Sequence, residues 1–174
     1  MTDPELEYVS TFFTLKKVRK HQYLVNEGED VKHEYLVLSG VYKVFYVDDQ
    51  DKEFIVQFAQ PDWWMSDYEA FFRQVKATMY IECLVPGEVL CSTLETREQL
   101  SKELHAMAYF YRVKLTNGYL AQQQRIKLLL SSTPQQRYDA FSKLYPQLLQ
   151  QVPKKLIAEY LGVSRETLSR LYAG

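Results

Sequence analysis

The feature that most constrains this chain is the stretch from Thr96 to Ser131, which contains no proline and a single glycine, Gly118. Within it Leu100, Leu104, Met107, Tyr111, Leu115, Tyr119, Gln122, Ile126 and Leu129 recur at steps of three or four. That spacing is the apolar stripe of an α-helix. Roughly 35 residues of helix span about 50 Å. A small domain cannot cover so long a helix alone, so part of the stripe requires a partner. Met107, Tyr111, Leu115, Tyr119 and Gln122 are the expected dimer-helix residues. The alternative is two shorter helices broken near Asn117-Gly118 and packed internally.

Ahead of this stretch, residues from about 18 to 95 read as short strands. Glu34-Tyr35-Leu36-Val37-Leu38, Val41 to Val47, Glu53 to Ala59, Met79 to Leu84 and Glu88 to Ser92 are apolar, β-branched or aromatic runs. Asn26-Glu27-Gly28, Ser39-Gly40, Asp48-Asp49 and Gln60-Pro61-Asp62 punctuate them. The aromatic share of 14% fits strands and large buried contacts. Such spacing predicts a barrel or sandwich. Pro86-Gly87 is expected at the centre of a type II hairpin turn, with Gly87 at positive φ. That hairpin would point Cys83 and Cys91 to opposite sheet faces, so the two are expected as buried structural thiols rather than a redox pair.

Beyond Ser131 the chain reads as short helices. Ser132-Thr133-Pro134 supplies a cap and an early proline. Tyr138, Phe141, Leu144 and Tyr145 form an apolar face, and Gln147 to Gln151 is expected as a connector. Val152 to Leu171 then has the pattern of a helix-turn-helix. Pro153 is placed for a first turn. Leu156, Ile157 and Leu161 share one face, Ala158 is small at the crossing, and Gly162 stands where a left-handed cap is needed. Val163 plugs the turn, Ser164 can cap the next helix, and Leu168 and Leu171 point inward. This is the arrangement of the DNA-reading motif.

The net charge of −1 gives no general attraction to nucleic acid, so a DNA role rests on this local segment. From residue 152 onward, Lys154, Lys155, Arg165 and Arg170 outweigh Glu159 and Glu166. Arg165, Glu166, Ser169 and Arg170 cluster at the start and outer face of the second helix. An arginine can bond guanine O6 and N7, and a glutamate can accept from cytosine N4. Lys154 and Lys155 begin the first helix, where phosphates are met.

With these residues in view, the chain resembles the Crp/Fnr (catabolite activator / fumarate-nitrate regulator) superfamily over nearly its whole length, in the style of its short Bacteroidetes-type members. Glu27-Gly28-Glu29 with Tyr35 to Gly40 is similar to the family's glycine-punctuated barrel. Val163-Ser164-Arg165-Glu166-Thr167-Leu168-Ser169-Arg170 is similar to its recognition helix. The resemblance implies an α+β fold. Its parts are an N-terminal double-stranded β-helix (jelly-roll) barrel of the cyclic-nucleotide-binding type (1–95), a long dimerisation helix (96–131) and a C-terminal helix-turn-helix (132–174). It implies a cytoplasmic bacterial homodimer that regulates transcription at a palindromic double-stranded DNA operator, with RNA polymerase as a further candidate partner. Arg165, Glu166 and Arg170 would touch base edges, with Ser164 and Lys154 on phosphate.

Two departures from that family are expected to matter. Its phosphate-binding cassette aligns with residues 62–78. Where cyclic-nucleotide binders carry a Glu and an Arg-Ser/Thr pair, this chain has Ser66, Lys76 and Ala77, with Thr78 alongside. Lysine lacks the planar fork of arginine. Asp62, Asp67 and Glu69 add negative charge, and Trp63, Trp64, Tyr68, Phe71 and Phe72 can fill the cavity. Ser66, Asp67, Tyr68, Lys76, Ala77 and Thr78 remain the candidate ligand residues, but cyclic AMP is not the expected ligand. Another small effector and no effector both stay open. The second departure is the end at Tyr172-Ala173-Gly174, which implies a short recognition helix without a β-wing and with fewer phosphate contacts.

Other classes fit less well. The acidic start lacks the apolar core of a signal peptide, and no apolar run reaches the ~18 residues of a membrane span. His21, His33 and His105 show no paired spacing for a cupin-like metal centre. No P-loop or nucleophile elbow occurs. No metal, cofactor or enzymatic activity is therefore expected. A ligand-binding or dimerisation module with weakened DNA binding is the alternative reading.

Overall fold

The alternating runs pair as two antiparallel four-stranded sheets in the computed structural model, which describes residues 1–172. After helix α1 (Asp3–Ser10), the strands are β1 (Thr14–Val18), β2 (Tyr23–Val25), β3 (Glu34–Val37), β4 (Val41–Val47), β5 (Glu53–Ala59) and β6 (Trp64–Met65). A short helix α2 (Tyr68–Arg73) precedes β7 (Tyr80–Val85) and β8 (Gly87–Ser92). One sheet runs β1-β8-β3-β6 and the other β2-β7-β4-β5. Val37, Tyr42, Val44, Ile81 and Val89 from the strands and Phe71 from α2 are buried together as the sandwich core. The architecture is the expected α+β jelly roll.

The Pro86-Gly87 hairpin does not form. β7 and β8 lie in different sheets, so the chain changes sheet at Pro86. Gly87 is needed for closeness rather than for positive φ. A Cβ there would lie 2.1 Å from the Ser39 carbonyl oxygen. Gly40, at φ +86, supplies the other half of this corner.

The corner also changes the geometry of the cysteines. Cys83 pairs with Tyr42 in one sheet and Cys91 with Tyr35 in the other, and both thiols are free and buried in the same core. Burial pushes the Cys83 thiol from 9.0 up to about 11, and raises Cys91 for the same reason. Two pH units remove about 100-fold of the reactive thiolate near neutral pH. Iodoacetamide should therefore label neither cysteine in the folded chain and both in denaturant. Rapid labelling under native conditions would contradict this burial.

The helical stripe divides at Leu104, whose φ −123 and ψ 110 leave the helical region. Gly118 does not break it. α3 (Leu94–Glu103) starts at a Thr93 cap, and α4 (His105–Ser131) runs unbroken for 27 residues, about 40 Å. Leu100, Met107 and Tyr111 are buried against Val9, Phe12, Phe13 and Trp64. The expectation that Met107 and Tyr111 face a partner is thereby corrected, because the chain's own N-terminal helix and β6 cover them.

Four further helices complete the described chain: α5 (Pro134–Leu144), α6 (Leu148–Gln151), α7 (Lys154–Leu161) and α8 (Arg165–Tyr172). Thr133 and Gln136 form a reciprocal capping box at α5. The expected connector at 147–151 is mostly the short helix α6. Leu144 is exposed rather than part of the inner face, and Pro153 caps α7 rather than entering it. Ala173 and Gly174, on which the expected short end of the recognition helix partly rests, lie outside the described residues.

β4 explains how the helices attach. Its alternation sends Tyr42 and Val44 into the sandwich, while Val41 and Phe45 point outward. Those two join Ile55, Phe58 and Leu84 in a second core with Phe141, Leu148, Ile157, Leu161 and Leu168. The outer face of one sheet is thus the floor of the helical unit.

Candidate functional site

α7 and α8 meet through Ile157, Ala158, Leu161 and Leu168, all buried. Gly162 ends α7 at φ 64 and ψ 41, and Val163 N–H donates to the Ala158 carbonyl at 3.0 Å. That is the left-handed helix end glycine permits. Ser164 Oγ then accepts from Thr167 N–H at 3.1 Å and starts α8. With Leu168 fixing the inner side, Arg165, Glu166, Ser169 and Arg170 are all exposed. The Glu166 backbone N–H and the Ser164 hydroxyl hold the Glu166 carboxyl below the usual carboxylate range, so it stands ionised as an acceptor. Lys154 and Lys155 are exposed at the start of α7, with Lys155 Nζ 3.7 Å from Glu159 Oε1.

Two arginines hold this unit, and sequence reasoning missed both. Arg125 of α4 donates from Nη2 to the carbonyls of Ile55 (2.7 Å) and Tyr160 (3.2 Å), and lies 3.6 Å over the Tyr160 ring. Arg137 of α5 donates to the Leu161 carbonyl at 2.8 Å. Both guanidiniums therefore complement the negative end of α7. Their targets are 24 to 70 residues away in sequence, so no local spacing announces them.

The cassette residues divide. Ser66 and Tyr68 line a cavity of about 680 Å³ between the sandwich, α4 and Tyr160 of α7. Ser66 Oγ donates to the His33 carbonyl at 3.1 Å, and burial raises the Tyr68 hydroxyl. Asp67, fully buried, turns away from that cavity. It accepts from Ala70 N–H (3.1 Å), Thr78 N–H (2.8 Å), Met79 N–H (3.2 Å) and the Thr78 hydroxyl (3.3 Å). A carboxylate of the chain thus occupies the donors of this loop, including both of Thr78. Lys76 is spent on the surface, 2.8 Å from Asp30. Ala77 is buried, its backbone paired with Gly28 and Glu29.

Of the proposed dimer residues, Tyr111, Leu115, Tyr119 and Gln122 line the same cavity. Its wall also holds a buried ion pair, with Arg97 Nη1 at 2.7 and 2.8 Å from the two Glu34 oxygens. The Arg97 guanidinium lies 4.0 Å over the Tyr111 ring. Burial raises the Glu34 carboxyl, and the charge of Arg97 opposes it.

The family profile for the cyclic nucleotide-binding domain matches residues 15–103, just over half of the chain. The chain belongs to this family. A curated relative, the anaerobic regulatory protein of Bacillus subtilis (strain 168), is 26% identical over 98 residues. The alignment takes in 56% of this chain and spans 40% of that protein's length. Among solved structures, FixK2 from Bradyrhizobium japonicum superposes with a TM-score of 0.76 at 17% identity, over 92% of this chain and 83% of its own. The c-di-GMP responsive global regulator CLP of Xanthomonas campestris gives a TM-score of 0.78 at 15% identity, over 99% and 90%. These likenesses extend the shared fold beyond the family domain into the C-terminal helices. Among the described residues no helix is long and apolar enough to cross a membrane.

Proposed function

We propose that this chain is a homodimeric, sequence-reading DNA-binding regulator of transcription, with its cyclic nucleotide-binding-type domain as the sensor. The observation that carries the proposal is α8. It is seated by Leu168, capped by Ser164 and exposes Arg165, Glu166, Ser169 and Arg170 together. The regulatory relatives support the same reading. A palindromic operator follows from two-fold symmetry, with half-sites about one helical turn apart.

The dimer seam we assign to the side of α4 away from the cavity. Tyr109, Val113, Thr116, Leu120, Gln123, Lys127 and Leu130 recur at alternating steps of four and three, the spacing of a coiled-coil seam. Tyr109, Leu120 and Leu130 are 56%, 50% and 82% exposed in the single chain. Apolar exposure of that size along one helix calls for a second copy.

Arg165→Ala is expected to weaken binding to a selected duplex by ~1–3 kcal/mol and to relax preference at one base position. Lys154→Ala should weaken all duplexes alike and lower the salt slope by about one. Anisotropy titrations with single-base variants check both. An Arg165→Ala protein that binds every duplex as before would leave α8 without a reading role and favour a dimerisation module.

A further inference from the structure

A second cavity, of about 310 Å³, lies within the helical unit between α4, α5 and α7. Its whole wall comes from beyond residue 103, where the match to the cyclic nucleotide-binding domain ends. Arg125, Tyr145 and Tyr160 stand on this wall and on that of the larger cavity, whereas Arg137 stands on this one alone.

The two arginines are anchored on the carbonyls of consecutive residues. Arg125 Nη2 donates to Tyr160 and Arg137 Nη1 to Leu161, so both guanidiniums flank one end of α7. A carbonyl is a dipole and neutralises neither charge. Among the described residues neither arginine is in an ion pair, and no Asp or Glu lines the cavity. Glu159 of α7 is not on this wall, and its Oε1 faces Lys155 at 3.7 Å. Each guanidinium also keeps a nitrogen in reserve. Arg125 Nη1 and Arg137 Nε are buried without a hydrogen-bond partner. An unpaired buried donor is costly, more so when charged. Burial pulls the Arg125 guanidinium below its ordinary range, as expected of a cation taken from water.

The remaining wall is apolar, with Leu128 and Leu129 from α4 and Phe141 and Leu144 from α5. A bare inorganic anion would leave that surface uncovered. An uncharged molecule would leave both charges uncompensated. A carboxylate offers two coplanar acceptors to guanidinium donors, and the volume is at the lower end of small-molecule sites. We propose that this cavity binds a small organic monocarboxylate with an apolar body, its oxygens on Arg125 and Arg137. The site lies outside the sensor domain, and its effect on DNA rests on the DNA-reading function proposed above. A bound carboxylate would touch α4, α5 and α7 together. Arg137 also presses on the turn before α8, where a Cβ on Gly162 would lie 3.2 Å from its Nη1. Occupancy would therefore bias duplex affinity by the ligand's difference in affinity for the two settings of α7 and α8 against α4.

The test is calorimetric titration of the full chain with naphthoate, and with its uncharged isostere naphthamide. Naphthoate should bind saturably at one per chain, about ten-fold or more tighter than naphthamide. Arg137→Gln keeps a donor for the Leu161 carbonyl but loses the charge. It should weaken naphthoate about ten-fold or more and leave naphthamide within about two-fold. Leu144 is 60% exposed, so Leu144→Glu tests the same wall without disturbing a core. The added carboxylate should weaken naphthoate about five-fold or more. No saturable naphthoate binding, equal or tighter binding of naphthamide, or unchanged naphthoate affinity in either variant would overturn the proposal. Unchanged affinity in Arg137→Gln alone would move the ligand to the larger cavity and overturn it equally. Duplex affinity of the same preparation is measured separately. Charge-selective naphthoate binding in a chain that reads no duplex would support this site and defeat only the DNA reading.

Discussion

Arg97→Ala is expected to cost about 3–5 kcal/mol of folding stability, because it leaves a buried carboxylate without its counter-charge. Glu34 is fully buried, and Arg97 Nη1 approaches both of its oxygens within 2.8 Å. The guanidinium also packs over Tyr111, so the substitution removes ring contacts from the head of α4. The deficit should depend on pH with a definite sign. Burial already raises the Glu34 carboxyl above its ordinary 4.5, and Arg97 is the group that opposes that rise. A raised folded pKa favours folding below the unfolded value and loses that benefit as pH climbs through the folded one. The variant should therefore be closest to the parent near pH 4.5 and fall behind progressively above it. Glu34→Gln in the same chain should recover part of the loss at neutral pH. Urea titrations across pH decide the matter. A pH-independent deficit would mean that lost packing, not the stranded charge, carries the cost.

Leu168→Ala should cost about 2–5 kcal/mol, and it should do so for the whole chain. Leu168 is buried in the core that Val41, Phe45, Ile55 and Phe58 of the sandwich share with Phe141, Leu148 and Ile157. Arg125 ties the Ile55 and Tyr160 carbonyls across the same junction. A common core predicts one cooperative unfolding transition, displaced to lower denaturant, together with loss of duplex reading as α8 loses its seat. Far-ultraviolet circular dichroism and tryptophan fluorescence should move together, since Trp63 and Trp64 lie in the sandwich half. A separate early transition seen only by circular dichroism would show that the helical unit folds independently.

The helix-turn-helix was legible because its demands are local: a left-handed residue at Gly162, an oxygen cap at Ser164, and inward leucines at fixed steps. The strands were legible for the same reason, through their alternation. The errors came where a distant contact decides. The Pro86-Gly87 pair reads as a hairpin, yet β7 and β8 lie in different sheets, with Gly87 pressed so close to the Ser39 carbonyl that a Cβ would lie 2.1 Å from it. The stripe on the long helix reads as one face, yet α1 and β6 claim Met107 and Tyr111 while the cavity claims Leu115, Tyr119 and Gln122. Asp67 read as repulsion toward an anion. In the structure it is itself the anion its loop binds.

The central claim is that α8 reads DNA, and it is tested most directly by selecting duplexes from a palindromic library with the full chain, then titrating the winner by anisotropy at two salt concentrations. The account predicts a two-fold symmetric site, bound by a dimer, with affinity that falls as salt rises and preference over scrambled duplex that persists. Enrichment of no sequence at low salt would contradict it.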